Sequence, residues 1–223
     1  MLNVKCQEIP ATSSQNYINN LSGTIPVRFV ITMDNDDETM NTPEMRAWLD
    51  GLTDRGVDLV YHYGDSKSKV EAVNADLEGE KADVLLLASD DMVPQVENWD
   101  KEISDAMQEH FPDLDGCVHF DDGNTHGELI TFSILGRKLY EHFGYIYHPD
   151  YKSLYCDDEF TQVVRKMGKE KYIDKVIITH EHYSVEGTQN EGQFDLAAQK
   201  TLHYSGRDHY VFQQRKELGF PKQ

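Results

Sequence analysis

Cysteine is scarce in this sequence: three of 223 residues are cysteines, namely Cys6, Cys117 and Cys156. Their wide spacing gives neither a disulfide framework nor a CxxC pair. The sequence also lacks an apolar run near the ~20 residues that span a bilayer. Its N-terminus, MLNVKCQEIP, lacks the basic patch and apolar stretch of a signal peptide. These absences predict a protein without an integral membrane segment, located in the reducing cytoplasm.

Positive charge is also in short supply. Lys and Arg together number 21 against 40 Asp and Glu, which gives a formal net charge of -19. A nucleic-acid duplex or an anionic bilayer repels such a surface, so the composition argues against a nucleic-acid-binding protein. A nucleotide ligand stays compatible with it, because a divalent cation can bridge carboxylates to phosphates. Most of the acidic side chains are expected to be solvated surface.

Several familiar catalytic motifs are missing as well. The sequence contains no GxGxxG, no P-loop, no GxSxG and no HExxH, and its cysteines have no nucleophile context. Dehydrogenase, kinase and hydrolase functions therefore lose their usual sequence support.

The sequence does contain an alternation of strand-like and helix-like segments. The first half predicts strands over 3–9, 27–33, 57–63 and 83–88, and helices near 17–21 and over 43–54, 66–77 and 97–110. This β-α-β order implies parallel strands flanked by helices. Beyond about residue 111 the pattern predicts strands over 117–120, 129–135 and 176–179, and helices near 136–143, 158–167 and 208–218. We expect this second half to cover a substrate and to be built on the same sheet, within one domain.

Acidic residues gather at three strand or helix ends, and ligands of open α/β sheets bind at the carboxyl ends of strands. The most informative group is Asp90 with Asp91, which follows Ser89 and the apolar run 83–88. Two adjacent carboxylates repel each other, and a hard divalent ion such as Mg²⁺ or Mn²⁺ relieves that repulsion while it binds phosphate oxygens. The competing interpretation is that both aspartates cap the turn before Pro94. Taken alone, the motif leaves the two interpretations open.

The first acidic group comprises residues 34–37 and follows the predicted strand 27–33. It is not a calcium loop, because Thr39 and Met45 stand where that loop needs Gly and Glu. A carboxylate here can instead hydrogen-bond a base or a ribose. The alternative is a solvated turn, which we expect to account for at least two of the four residues.

The third acidic group, Asp157, Asp158 and Glu159, opens a predicted helix. Capping and the helix dipole favour acids at this position. The functional alternative is a general base that deprotonates an acceptor hydroxyl. We interpret Asp157 as a capping residue and Asp158 as the base.

Two histidines, His180 and His182, follow the apolar run 176–179. An HxH pair on an extended chain points both rings the same way, so one of them can ligate a metal. The zinc-hydrolase pattern HxHxDH is not met, because Ser184 replaces its Asp. A lone histidine is more often structural, and the position at a strand end is what singles out this pair.

These motifs, in this order, resemble those of GT-A-fold glycosyltransferases, especially glycosyltransferase family 2, over roughly residues 3–183. The resembling segments are IPATSS, VRFVITMDNDD, SKSKVEAVNADLE, ADVLLLASDDMVP, GYIYHPDYKSLYCDDEFTQVVRKMGK and ITHEHY. One departure is Ala88, which stands where many members carry the first Asp of a DxD metal motif, so that the motif is shortened to SDD.

The resemblance implies an α/β, GT-A-like domain over 1–223 whose mixed, mostly parallel central sheet is flanked by helices. A nucleotide-sugar and metal half would span about 1–110, and an acceptor half with a C-terminal tail about 111–223. The metal, Mn²⁺ or Mg²⁺, would be held by Asp90 and Asp91, with His180 and His182 as further ligands. The residues that would contact the nucleotide-diphosphate sugar, favoured as a UDP-sugar, are Pro10, Asp34, Asp36, Lys69, Asn74, Ser89 and Asp90.

The resemblance also implies an acidic catalytic base and inversion at the anomeric carbon. The acceptor would be a saccharide or another molecule with a hydroxyl group. Matching on the acidic pair favours Asp158 as the base, whereas matching on Arg165 favours Glu159, and Asp157 completes the set. The sequence does not choose among them.

Other functions stay open from the sequence. A sugar nucleotidyltransferase usually carries a Gly-rich basic loop after its first strand, and residues 10–16 contain neither Gly nor a basic residue. A non-catalytic nucleotide-sugar or carbohydrate-binding module is compatible with the shortened SDD motif. An acidic α/β domain with only a protein partner must treat the three acidic groups as coincidence. The oligomeric state is not determined by the sequence.

Overall fold

A seven-stranded mixed sheet organises the part of the chain that the computed structural model describes, which is residues 1–7, 11–89, 91–181 and 196–222. Its strands are β1 (Leu2–Gln7), β2 (Val27–Asp34), β3 (Leu59–Gly64), β4 (Val84–Ala88), β6 (Cys117–Asp121), β7 (Ile134–Gly136) and β8 (Glu170–Val176). Two further short strands, β5 (Met92–Pro94) and β9 (Ile178–His180), pair with each other in antiparallel fashion. The order across the main sheet is β3-β2-β1-β4-β7-β6-β8.

Helices flank this sheet and connect its strands. They are α1 (Ala11–Asn19), α2 (Pro43–Asp54), α3 (Lys69–Asn74), α4 (Trp99–His110), α5 (Arg137–Phe143), α6 (Cys156–Lys166) and α7 (Leu196–Glu217). The predicted bounds of α2 are confirmed, because the Thr42 hydroxyl accepts the backbone N–H of Met45 and Pro43 occupies the first turn. Ser68 caps α3 in the same way through the N–H of Glu71.

The direction of the strands decides where loops meet. Strands β3, β2, β1 and β4 are parallel neighbours, β7 is antiparallel to β4, and β6 is antiparallel to β7. Strand β6 therefore runs in the same direction as β4, and β8 is parallel to β6. The prediction of a mixed, mostly parallel sheet is confirmed. Six strands, β1 to β4, β6 and β8, consequently present their carboxyl ends at one edge.

The hydrophobic core lies on both faces of the sheet, and β4, which is apolar throughout, contributes side chains to both. All five residues of β4 are buried. One face packs under α4, where Trp99 is fully buried and its ring N–H donates to the Tyr17 carbonyl at 3.0 Å. The other face packs against α3, α5 and α6, with Tyr147 and Phe160 among its buried rings. Burial on both faces explains why this strand reads as a continuous apolar run.

Strands from the second half extend the same sheet, as β7, β6 and β8 follow β4 across it. Their bounds differ from the sequence prediction. The strand predicted over 129–135 is limited to Ile134–Gly136, because the preceding residues bond to side chains: the N–H of Ile130 donates to the Thr161 hydroxyl and the Thr131 hydroxyl to Asp122. The predicted strand 176–179 is interrupted at Ile177, which separates β8 from β9. The division into two functional halves stays a prediction.

Two helices begin earlier than the sequence pattern suggested. Helix α1 begins at Ala11, although only 17–21 was predicted as helical, and α7 begins at Leu196 instead of near residue 208. Residues 11–16 of α1 are mostly polar, and hydrophobic spacing marks only helical segments with an apolar face. Within the described ranges, no helix is both long enough and apolar enough to cross a membrane.

Candidate active site at the carboxyl edge of the parallel strands

The Asp91 carboxylate is the centre of the polar cluster at the carboxyl end of β4. It accepts a hydrogen bond from the Ser89 hydroxyl, and one of its oxygens lies 3.0 Å from Nε2 of His180. Burial raises the pKa of Asp91, but the bond and charge of His180, the Ser89 hydroxyl and the charge of Lys69 outweigh it and lower that pKa to about 2. Asp91 is therefore an anion at neutral pH.

The backbone fixes His180 in this position. His180 pairs with Met92 across the β5–β9 ladder, and the N–H of Glu181 donates to the Asp91 carbonyl at 2.7 Å. On its other side, the His180 N–H donates to the Asp122 carbonyl at 3.0 Å, and the Asn124 amide donates to the His180 carbonyl. The His180 ring thus reaches the β4 motif from a segment of the second half that hydrogen bonds hold on both sides.

Asp122 is a site-supporting residue that the sequence reasoning did not identify. It lies just after β6 and is 2% exposed. Its carboxylate accepts the N–H groups of Asn124 and Thr125 at 2.8 and 2.7 Å and the Thr131 hydroxyl at 2.8 Å. The same rule that singled out Asp34 and Asp91 applies here, because an acid directly follows an apolar strand that ends at the shared edge.

A small pocket opens beside this cluster at the end of β4. Its lining includes the exposed Lys69, the half-buried Ser89 and Thr131, and the buried Tyr147. Burial raises the pKa of Tyr147, and the negative charge of Asp157 in the first turn of α6 raises it further. A separate cavity of about 190 Å³ lies at the opposite edge against Met1, Leu2 and Asp83, away from the predicted site residues.

The predicted donor-contact residues differ in what they touch. Asp34 ends β2 at the site edge, and Asp36 is exposed in the following turn. Asp37, the last residue of that acidic group, accepts the N–H and hydroxyl of Thr39, as the solvated-turn interpretation expects. Lys69 begins α3 and is exposed, and its charge favours the ionised form of Asp91.

Asn74 supports the wall of the pocket. Its amide nitrogen donates to the Tyr147 carbonyl at 2.7 Å, and its oxygen accepts the N–H groups of Ile146 and Tyr147 at 2.9 and 3.2 Å. These bonds use the side chain within the protein. The nucleotide contact that the resemblance implied for Asn74 stays a prediction.

The three acidic residues at the start of α6 differ in how deeply they are buried. Glu159 is 5% exposed, both of its oxygens accept hydrogen bonds from Arg215 at 2.8 Å, and the Tyr151 hydroxyl donates to it at 2.7 Å. Both carboxylate oxygens of Glu159 are therefore engaged in an ion pair, and the choice of the base among the three acids stays a prediction. Asp157 and Asp158 are half-buried at the start of the same helix. Burial, and then the charge of Asp157, raise the pKa of Asp158.

Pro10, Asp90 and His182 lie outside the described residues. Among the residues that are described, no group of three or more His, Cys, Asp or Glu side chains converges as a metal site. Asp91 and His180 are the two predicted ligands that the structure brings together.

Comparison with solved structures shows which fold carries this arrangement. A mannosyltransferase from Pyrobaculum calidifontis in complex with GDP-Man and Mn²⁺ superposes with a TM-score of 0.60 at 13% identity, covering 81% of this chain and 56% of the other. TarS from S. aureus superposes with a TM-score of 0.58 at 12% identity, covering 81% and 36%. Glucosyl-3-phosphoglycerate synthase from Mycobacterium tuberculosis with Mn²⁺, UDP and phosphoglyceric acid gives 0.55 at 10%, covering 82% and 71%.

The fold is the GT-A fold. Its likeness to glycosyltransferase structures confirms the fold class expected from the sequence. No family model matches the sequence, and no curated protein matches it. The GT-A chain spans about half of the mannosyltransferase and about a third of TarS. At these identities the likeness establishes the fold alone, and the chemistry has to be argued from the site.

Proposed function

We propose that this GT-A chain is a metal-dependent glycosyltransferase that moves a sugar from a nucleoside-diphosphate donor to an acceptor hydroxyl. One observation carries the proposal: Asp91, at the end of β4, meets His180 from the second half of the chain at 3.0 Å. This contact lies at the edge where β1, β2 and β4 all end, which is the ligand-binding edge of such sheets.

The ligand set at this edge suits a divalent cation. Asp91 is anionic, His180 presents a ring nitrogen beside it, and Asp90 adjoins Asp91 in the sequence. Carboxylates suit Mn²⁺ and Mg²⁺, and a phosphate-bound ion needs only one or two of them because phosphate and water complete its shell. When bound, such an ion supplies Lewis-acid stabilisation of the leaving diphosphate. The solved structures in complex with Mn²⁺ or Mg²⁺ and a nucleotide support this assignment.

The donor would lie across the carboxyl ends of β1, β2 and β4. Lys69 faces this edge and offers a positive charge for the diphosphate, whereas Asp34 ends β2 where a ribose or base can be hydrogen-bonded. Ser89 orients Asp91, and Asp36 and Pro10 remain proposed contacts on the sequence resemblance alone. The related structures carry GDP-Man, UDP or UDP-GlcNAc, so the donor class is a nucleotide-diphosphate sugar, with UDP-sugars favoured.

The acceptor hydroxyl would be deprotonated by the first turn of α6. Asp158 is proposed as the base and Asp157 as its neighbouring cap, since the carboxylate of Glu159 is engaged by Arg215. A base with a raised pKa has a greater affinity for the proton it removes, and this matches the environment of Asp158. Attack from the base side gives inversion at the anomeric carbon, as the family resemblance implies.

Binding and turnover can be tested separately. Thermal unfolding should be followed with UDP, GDP and their sugar conjugates, with and without Mn²⁺, and labelled donor should be followed for transfer and hydrolysis. A nucleotide at about 100 times its Kd adds about 2.7 kcal/mol of stability. We expect stabilisation only when nucleotide and metal are both present, and its loss in Asp91→Asn.

The control is Asp113→Asn, an exposed aspartate in the loop before β6, at the opposite edge. Stabilisation without any turnover of a donor would identify a non-catalytic binding module instead. Formation of a nucleotide-sugar from a nucleoside triphosphate would identify a nucleotidyltransferase. No stabilisation by any nucleotide with metal would refute the proposal.

A further inference from the structure

Helix α7 carries two buried ionic side chains on one side. Asp208 is fully buried and Arg215 is 7% exposed, although the neighbouring Arg207, His209 and Lys216 are exposed. Positions seven residues apart lie on the same face of a helix. Buried charges are rare unless they are paired, so both residues indicate specific contacts beneath α7.

Arg215 forms an ion pair with the first turn of α6. Its Nε and Nη2 atoms each donate to a different oxygen of Glu159, both at 2.8 Å, and Tyr151 donates to the same carboxylate at 2.7 Å. Nη2 of Arg215 also donates to the Pro221 carbonyl at 2.6 Å. A two-pronged guanidinium–carboxylate pair fixes orientation as well as distance, which an ammonium group cannot do.

Asp208 accepts hydrogen bonds from the segment that leads into α6. Its carboxylate accepts the backbone N–H groups of Lys152 at 3.1 Å, Ser153 at 2.7 Å and Leu154 at 3.0 Å. These three residues come directly before Tyr155. The two ionic side chains of α7 therefore hold the chain on both sides of the point where α6 begins.

Tyr155, between the two contacts, has an unfavourable backbone conformation. Its φ is 62°, in the left-handed region, and its side chain makes no capping bond to α6. Residues other than Gly rarely adopt this conformation without support from the surrounding structure. The start of α6, with Asp157 and Asp158, consequently has its direction imposed by tertiary contacts and not by local caps.

We infer that α7 clamps the first turn of α6 and that Arg215 is a positioning residue for the Asp157–Asp158 pair. Arg215 acts through Glu159, the next residue after the pair, and touches neither aspartate in the described structure. The inference rests on the proposed function, since it assigns to α7 the placement of the acceptor-activating carboxylates. Buried ion pairs contribute little to stability compared with apolar pairs, whereas their geometry is specific.

The test compares Arg215→Lys with the double variant Arg215→Met/Glu159→Met. The lysine variant keeps the charge and loses the two-pronged contact. The double variant replaces the buried ion pair by apolar side chains and leaves no unpaired buried charge, because Asp150, which also contacts Arg215, is exposed. We expect kcat to fall at least tenfold in both, while KM for the donor and the stabilisation by UDP with Mn²⁺ change less than twofold. A role in stability alone predicts that kcat follows Tm, so wild-type kcat in a double variant of wild-type Tm overturns the inference.

Backbone amide hydrogen exchange gives a readout that needs no activity. Exchange in residues 152–160 should rise several-fold in both variants, while exchange in β1 and β4 stays at the wild-type rate. Unchanged exchange in residues 152–160 would overturn the inference that α7 holds the first turn of α6, even if the wild-type protein proves to have another function. Conversely, if the wild-type protein binds no nucleotide but both variants show the rise in exchange, the proposed function is refuted and the mechanical role of α7 is retained.

Discussion

Asp91 and His180 are in hydrogen-bond contact at 3.0 Å although 89 positions separate them in the sequence. The contact lies at the carboxyl end of β4. It forms because β5 and β9 pair next to that strand end, with Met92 opposite His180. A carboxylate from the parallel half and an imidazole from the second half thereby form one site. Its formation requires the tertiary structure to be in place, since neither segment brings the other close locally.

Removal of the His180 ring should weaken metal-dependent nucleotide binding. In His180→Ala, Asp91 loses the partner that contributes most to its low pKa and its orientation. We expect at least a tenfold loss in apparent Mn²⁺ affinity, in line with the about 10–100-fold effects seen when a supporting residue of a metal ligand is removed. Titration of Mn²⁺ at saturating UDP, followed by thermal shift, measures it. His142→Ala on α5, an exposed histidine, is the control and should match the wild type.

Asp158→Asn should abolish turnover and retain donor binding. Loss of a general base typically costs about 10²–10⁴-fold in rate, whereas UDP binding with metal does not use this carboxylate. Asp157→Asn, one residue away on the same helix turn, should cost less than tenfold. Steady-state kinetics of donor transfer decide between them, and a larger loss in Asp157→Asn would move the base role to that residue.

The environment of Asp158 also sets a pH dependence. Burial and the adjacent Asp157 raise its pKa, so protonation inactivates the base at a higher pH than for an ordinary aspartate. The acidic limb of kcat/KM should therefore lie above about 3.9, the usual value for Asp. In Asp157→Asn that limb should shift to lower pH, because a neighbouring negative charge has been removed. A limb that stays in place would contradict the assignment.

Lys5 should make stability depend on pH in the alkaline range. It is fully buried in β1, bonds to the Thr32 hydroxyl, and burial lowers its pKa to about 8 despite the charge of Asp76. Between pH 8 and the unfolded value of about 10.4 the unfolded chain binds more protons, so stability rises with pH. Relative to Lys5→Met, the wild type should gain about 2 kcal/mol from pH 8 to 10. Urea unfolding at pH 7, 8, 9 and 10 measures the difference, and a constant difference would show that Lys5 titrates normally.

Two glycines should respond to alanine in opposite directions. A Cβ atom at Gly136, which ends β7, would lie 2.3 Å from the backbone oxygen of Leu114, so Gly136→Ala should destabilise by about 1–3 kcal/mol. Gly51 lies within α2 and an added Cβ meets nothing within 4 Å. Gly51→Ala should therefore stabilise by about 0.4–1 kcal/mol, because it restricts the unfolded chain. Thermal unfolding of both variants checks the pair, and equal effects would mean that the β7–Leu114 packing is looser than described.

Sequence patterns predicted those elements whose physics is local. Thr42 and Pro43 define the start of α2, and the apolar run of β4 leads directly to Ser89 and Asp91. The rule that acids after such strands form sites also covered Asp122, which was overlooked because β6 carries His119 and Asp121 and so lacks the continuous apolar run of β4. Residues 11–16, at the start of α1, include no large apolar residue, and hydrophobic spacing therefore missed this start.

By itself, the sequence determined the strand and helix types, the absence of a recognisable dehydrogenase, kinase or hydrolase motif, and the acids that follow β2 and β4. The tertiary structure alone decided that His180 meets Asp91, that Asn74 holds the 146–147 segment, and that Glu159 pairs with Arg215. The physical reason is the distance along the sequence over which each kind of interaction acts. Periodicity, capping and strand ends depend on neighbours a few residues away, whereas burial and pairing of a charge depend on which distant segment packs against it.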